Sequence, residues 1–226
     1  MKMKKYLISI LLFGLIIVSC DDSITDFGYT GSVTGMVMDP NNDIVSGDNQ
    51  NVNLIVFVLG EGEDIPLEIR VQGDGSFANT HLYPQEYSIW LEGPIVESPT
   101  NQSTIDLTGG TVTHNFNVTP LISLSTPSLS GSPTSNSVTI DYALTAANNN
   151  IEIADRVVYV STVSYPSQST GSGAIWETHT TTLPDDNGSI EVTGLTSDTR
   201  YFVRTAARAE GTTRWNHSDQ IEINTP

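Results

Sequence analysis

Beyond residue 5 this 226-residue chain contains no lysine: Lys2, Lys4 and Lys5 are its three. A chain cut after Ser19 would keep six arginines against 26 acids, a net charge of −20. Schiff-base chemistry and a phosphate-binding P-loop would then lack their lysine. Nucleic acid, itself a polyanion, would meet a repelling field, so it is excluded as a partner. Cysteine is almost as scarce, with Cys20 alone in the chain, so no intrachain disulfide can form. Helical periodicity is missing too: after Ser32 no stretch keeps apolar residues at i, i+3, i+4 and i+7 over three turns. The chain also lacks an apolar run long enough to span a bilayer. Its longest, from Tyr6 to Val18, would cover only about 20 Å as a helix, short of a hydrocarbon core of roughly 30 Å.

What is present at the N-terminus is an address. Met-Lys-Met-Lys-Lys precedes the short apolar run, and Ser19-Cys20 follows it, the layout of a secretory leader. The stretch Ile17-Val18-Ser19-Cys20 resembles the lipobox of bacterial lipoproteins. That resemblance implies cleavage after Ser19, diacylglycerol on the Cys20 sulfur and acylation of the new N-terminus. The alternative is an ordinary leader with a chance cysteine. Asp21, Asp22 and Asp26 follow directly, and this cluster resembles the signal that sends Bacteroidetes lipoproteins to the outer face of the outer membrane. In enterobacteria the same aspartates would mean retention at the inner membrane. Residues 21–30, without an apolar period, read as a tether.

From Ser32 onward, short runs rich in Val, Ile, Thr and aromatics alternate with Gly, Pro, Asn and Asp clusters, which predicts an all-β protein of two consecutive antiparallel sandwiches. Expected strands are 32–38, 52–59, 66–71, 76–78, 86–92, 103–107 and 111–118 in the first half. In the second they are 121–125, 137–144, 155–162, 175–182, 188–192, 200–208 and 219–224. A boundary falls at Pro120, giving domains 31–120 and 121–226, each of ordinary size for one core. Gly194-Leu195 through Tyr201-Phe202-Val203-Arg204 resembles the E–F corner and F strand of a fibronectin type III module, with Tyr201 forming a tyrosine corner. Gly31 to Asp39, Gly73-Asp74-Gly75-Ser76-Phe77 and Leu82 to Trp90 resemble a carboxypeptidase-regulatory-like, transthyretin-type sandwich, although Gln85 stands where such domains place a turn glycine. This order behind a lipobox resembles a Bacteroidetes family of two-domain surface lipoproteins of unknown function, often encoded among glycan-utilisation genes.

Catalytic patterns are missing. His81, His114, His179 and His217 are scattered singly as surface or strand histidines, with no HExxH and no G-x-S-x-G elbow. The expectation is a non-enzymatic protein without metal or cofactor. Asp39-Pro40-Asn41-Asn42-Asp43 has oxygen ligands at alternate positions, but Ile44 replaces the glycine of a calcium loop and Gln50 its terminal glutamate. It and Asp185-Asp186-Asn187-Gly188 read as turns.

The aromatic and basic residues offer more. Alternation on Tyr87 to Glu92 turns Trp90 away from the core. Trp176 lies beside the Ser/Thr/Gly run 167–173, and Arg214 and Trp215 fall in the expected F–G turn; all three are expected in loops at the far end of the second domain. Exposed rings stack on the C–H faces of sugars, so Trp90, Trp176, Arg214 and Trp215 are candidate ligand-binding residues; the alternative has each indole covering a sandwich end or the joint between domains. Arg200, Arg204 and Arg208 form a candidate basic stripe on the outward face of strand 200–208, suited to carboxylate or sulfate. Pairing with Asp155, Glu222 or Asp219 is its alternative and the favoured one. The leading functional reading is a lipid-anchored outer-membrane surface protein that binds glycan or docks beside nutrient-uptake proteins. A structural spacer that holds a protein partner comes second, and a hydrolase with an unrecognised carboxylate pair third.

Overall fold

A computed structural model describes residues 28–226 except 51, 52 and 174. The leader, Cys20 and tether residues 21–27 lie outside the described residues. The fold is all-β. In the first half, strands β1 (Gly31–Met38), β2 (Ile55–Gly60), β3 (Leu67–Arg70), β4 (Ser76–Leu82), β5 (Glu86–Glu92), β6 (Gln102–Asp106), β7 (Thr111–Thr113) and β8 (Phe116–Asn117) build two sheets. Their orders are β4-β1-β7, with β8 also on β1, and β3-β2-β5-β6. Among the described residues a 3-10 turn, Pro99–Asn101, capped by Ser98, interrupts the strands. The expected strand 111–118 is split at His114 and Asn115, because β7 and β8 run parallel to successive stretches of β1.

In the second half, β9 (Ile122–Leu124), β10 (Ser128–Leu129), β11 (Ser137–Ala146), β12 (Ile153–Ser161), β13 (Thr178–Thr182), β14 (Asn187–Thr193), β15 (Arg200–Ala209), β16 (Trp215–His217) and β17 (Ile221–Asn224) form two more sheets. One is β10-β11-β14 with β9 on β11, and the other β13-β12-β15-β16 with β17 on β15. The alternating pattern sends side chains of one parity inward, producing a buried cluster from Val33 to Val118 and a second from Ile122 to Ile223. At the entry to β15 the Tyr201 ring is fully buried, its Oη accepts the Thr196 N–H at 2.8 Å, and Leu195 is buried with it.

The two halves are in contact, and three polar side chains stitch the seam. Asn53 accepts the Trp215 N–H at 2.7 Å and donates to the Trp215 carbonyl. Asn216 donates to the Pro94 carbonyl at 2.9 Å and accepts the Ile122 N–H at 3.1 Å. Arg204, 0% exposed, donates to the Ser218 carbonyl at 2.8 Å, to the Gly47 carbonyl at 2.7 Å and to Ser46 Oγ. Gly73 is required here: a Cβ on it would lie 2.2 Å from the Tyr165 ring of the other half. Burial lowers the Arg204 guanidinium to about 10, opposed by Asp48 and Asp219, and it stays charged at neutral pH.

Candidate functional site

The structure separates the candidate residues into two groups. Three of the four candidate ligand-binding residues, Trp90, Arg214 and Trp215, gather along the seam. Trp90 and Phe57 are cross-strand partners on the outer face of β5 and β2, stacked at 5.2 Å and 12°. One face of the Trp90 indole is therefore covered. Trp90 Nε1 donates to Glu92 Oε1 at 3.1 Å, and the other oxygen of Glu92 lies 3.9 Å from Arg214. Trp215, half-buried, has the Arg208 guanidinium 6.0 Å from its ring centroid. The expected position of Arg214 and Trp215 at the far end of the second domain needs correcting. Residues 215–217 form strand β16, and Asn53 ties the backbone of Trp215 to the first half.

Of the basic stripe, Arg200 and Arg208 follow the favoured alternative of pairing with Glu222 and Asp155, and Arg204 departs from it. Inward-facing Tyr201, Val203, Thr205 and Ala207 are buried, but so are Arg204 and Ala206 on the opposite face, because the first half covers the middle of β15. Arg208 is bonded to Asp155, its cross-strand partner, and to the Thr212 carbonyl at 2.7 Å. Arg200, exposed, sits 3.8 Å from Glu222 and covers Phe202. No continuous row of guanidinium groups faces solvent.

Trp176 stands apart. It and Ile175, 44% and 88% exposed, project from the loop between β12 and β13. A Cβ on Gly173 would lie 2.5 Å from indole atoms, so the ring packs closely against Gly173 and needs a residue without a side chain there. Its Nε1 donates to the Gly171 carbonyl at 2.7 Å, and Gly173 N–H closes the loop on the Trp176 carbonyl at 2.9 Å. The indole is thus held in one orientation with much of its surface in water.

Beside it lies an open cleft of about 480 Å³, lined by Thr162, Ser172, Gly173, Ile175, Glu177, Thr196 and Thr199 as well as Trp176. That volume is in the range of small-ligand sites. The far wall comes from the corner before β15, so residues separated by some twenty positions converge. Glu177 ties the two walls together: one oxygen pairs with His179 Nε2 and the other accepts from Thr196 Oγ1 at 2.8 Å. Burial alone would raise the Glu177 carboxyl, but bonds from His179, Thr196 and Tyr201 outweigh it and hold the group below the ordinary carboxylate range. It is therefore ionised at neutral pH.

Sequence reasoning singled out Trp176 and its Ser/Thr/Gly neighbours but missed Glu177, Thr196 and Thr199. The glycines just before Trp176 were the available signal for a ring packed closely against glycine; nothing local announces that the β15 corner would face them. Among the described residues, no three His, Cys, Asp or Glu side chains converge in a way that could hold a metal ion. The Asp39 loop is a turn, with Asp39 Oδ1 accepting the N–H groups of Asn41 and Asp43 at 2.8 and 2.9 Å. The Asn-Gly pair, expected in a turn, instead opens β14, with Gly188 at φ 150°; the chain bends just before it, at 184–186, and carries β13 and β14 into different sheets, so no hairpin joins them.

No family model matches this chain, and no curated protein matches it. Solved structures do share its fold. A DUF3823 family protein from Bacteroides ovatus is 14% identical with a TM-score of 0.69, over 87% of this chain and 100% of that one. A DUF3823 family protein from Parabacteroides merdae is 16% identical with a TM-score of 0.69, over 86% and 98%. A Bacteroides uniformis protein provisionally described as carbohydrate-binding is 16% identical with a TM-score of 0.68, over 87% and 100%. At these identities the likeness establishes a shared two-sandwich fold.

Proposed function

We propose that this protein is a non-enzymatic glycan-binding protein held on the outer face of the outer membrane by lipid at Cys20, serving as an accessory to nutrient uptake. The observation that carries the binding role is the fixed, half-exposed Trp176 indole beside a cleft of hydroxyls and one carboxylate. An aromatic ring flanked by hydrogen-bonding groups suits the alternating C–H faces and hydroxyl rims of sugars. The fold shared with a carbohydrate-binding candidate from Bacteroides uniformis supports the same reading. The lipobox-like Ile17 to Cys20 and the aspartates after it support the location. Two or three acyl chains, at about 0.8 kcal/mol per buried CH₂, would anchor it stably.

Isothermal titration of the full-length protein against a panel of polysaccharides tests the binding role. Heat with at least one glycan, weakened about tenfold by Trp176→Ala, is expected. No heat with any of them refutes it. Mass spectrometry of the native protein tests the anchor, where an unmodified Cys20 thiol or an uncleaved leader refutes it. A spacer role is the second reading, favoured by the polar stitching of the seam, which ties the two sandwiches to each other through Arg204, Asn53 and Asn216. Retention of a single protein partner through high salt, without sugar binding, would favour the spacer.

A further inference from the structure

The hydrogen bonds of the Trp176 cleft say which glycans it can take. Among the described residues, every side-chain donor on its walls is already spent inside the protein. Trp176 Nε1 gives its hydrogen to the Gly171 carbonyl, and Ser172 Oγ gives its own to the Thr178 carbonyl at 3.0 Å. Thr162 Oγ1 is directed at the Glu177 carbonyl at 3.5 Å. Thr196 Oγ1 donates to Glu177, and Thr199 Oγ1 donates to the Ser197 carbonyl at 2.9 Å. What these walls retain is acceptor capacity: a hydroxyl oxygen has two lone pairs, and a carboxylate about four acceptor sites. Glu177 already takes bonds from His179, Thr196 and Tyr201, which leaves about one of its acceptor sites open.

Charge points the same way. The cleft's own charge is the Glu177 carboxylate, and no arginine lines it. Five arginines are engaged elsewhere: Arg156 with Asp186, Arg200 with Glu222, Arg208 with Asp155, Arg214 near Glu92, and Arg204 in the seam. A sulfate or uronate entering here would find no side-chain donor and would face a like charge, within a protein whose net charge is −17 even with its leader.

We infer that the Trp176 cleft is selective for uncharged, hydroxyl-rich glycans, which stack on the indole and supply the donors themselves, and that it rejects uronate-containing and sulfated chains. This rests on the glycan-binding reading above and names its ligand class. The ring selects a flat C–H face; Glu177, Thr196 and Thr199 select against anions.

The test titrates the full-length protein with four probes: mannan and xyloglucan oligosaccharides as neutral chains, polygalacturonate and chondroitin sulfate as anionic ones. Binding of at least one neutral probe, with both anionic probes at least about tenfold weaker, is expected. Anionic probes binding as tightly as neutral ones would overturn the inference and leave glycan binding standing. Silence from all four would overturn both. Glu177→Gln replaces one acceptor oxygen by a donor and removes the charge, so it should narrow the neutral-to-anionic gap; an unchanged gap in a variant that melts like the parent would overturn the acceptor argument. Should that variant fold poorly, Thr199→Val on the rim removes an acceptor at little structural risk and should weaken the neutral probe about threefold, and no weakening would count against it.

Discussion

Trp215 and Trp176 belong to the same sandwich and both flank turns, yet the protein treats them in opposite ways. Trp215 is drawn into the seam, its backbone held on both sides by Asn53 and its ring approached by Arg208. Trp176 is fixed by its own loop, on Gly173 and Gly171, and no residue of the first half lines its cleft. What differs is the origin of the supporting contacts. A tryptophan fixed by distant residues becomes part of the architecture, whereas one fixed by its immediate neighbours can keep a surface open for a ligand.

The contrast can be broken most severely at the seam. Arg204→Met leaves the Gly47 and Ser218 carbonyls and Ser46 without their donor in a dry interface. A loss of about 3 kcal/mol is expected, read from urea unfolding. A loss below about 1 kcal/mol would show that the seam is held by packing alone.

Acid should weaken the seam next. His217 is 5% exposed, neither of its ring nitrogens has a hydrogen-bond partner, and burial, then the Arg204 charge, hold its pKa well below the ordinary imidazole value. Unfolded, it takes a proton near pH 6.5; folded, it stays neutral to much lower pH. The unfolded state therefore binds more protons, and stability falls as pH drops below about 6.5, by up to about 1.4 kcal/mol per pH unit from this group. Glu177 acts in the same direction at lower pH: its folded pKa is depressed, so its contribution is full above the ordinary carboxylate range and is lost as pH falls through the depressed value. Melting curves of the parent and His217→Gln between pH 7 and 5 check the first effect, with a shallower slope expected for the variant.

The smallest effect should separate the two tryptophans most clearly. Trp215→Ala is expected to cost about 1 kcal/mol, while Trp176→Ala costs less than about 0.5 and instead weakens glycan binding about tenfold. Equal costs in thermal melts would erase the distinction.

The all-β architecture was legible because strand signals are local. The alternation around Val33, Val203 and Tyr201, the turn residues between runs and the apolar parity of Tyr87, Ile89 and Leu91 need no knowledge of the partner strand. Strands β10 and β16 were not legible. They are two and three residues long and lack a period of their own, existing because β11 and β15 offer edges. Arg204 shows the same limit more sharply. Alternation correctly set it on the face opposite Tyr201, yet that face is buried as well, because another sheet system lands on it.

The sequence by itself determined the strands, the outward turn of Trp90 and the placing of Trp176 beside glycines, since each follows from backbone preference and near-neighbour sterics. Only the tertiary structure decided that Arg204, Arg214 and Trp215 serve the seam while Glu177, Thr196 and Thr199 assemble the cleft. Those outcomes depend on which surfaces meet, and residues many positions apart carry no local mark of their future contact.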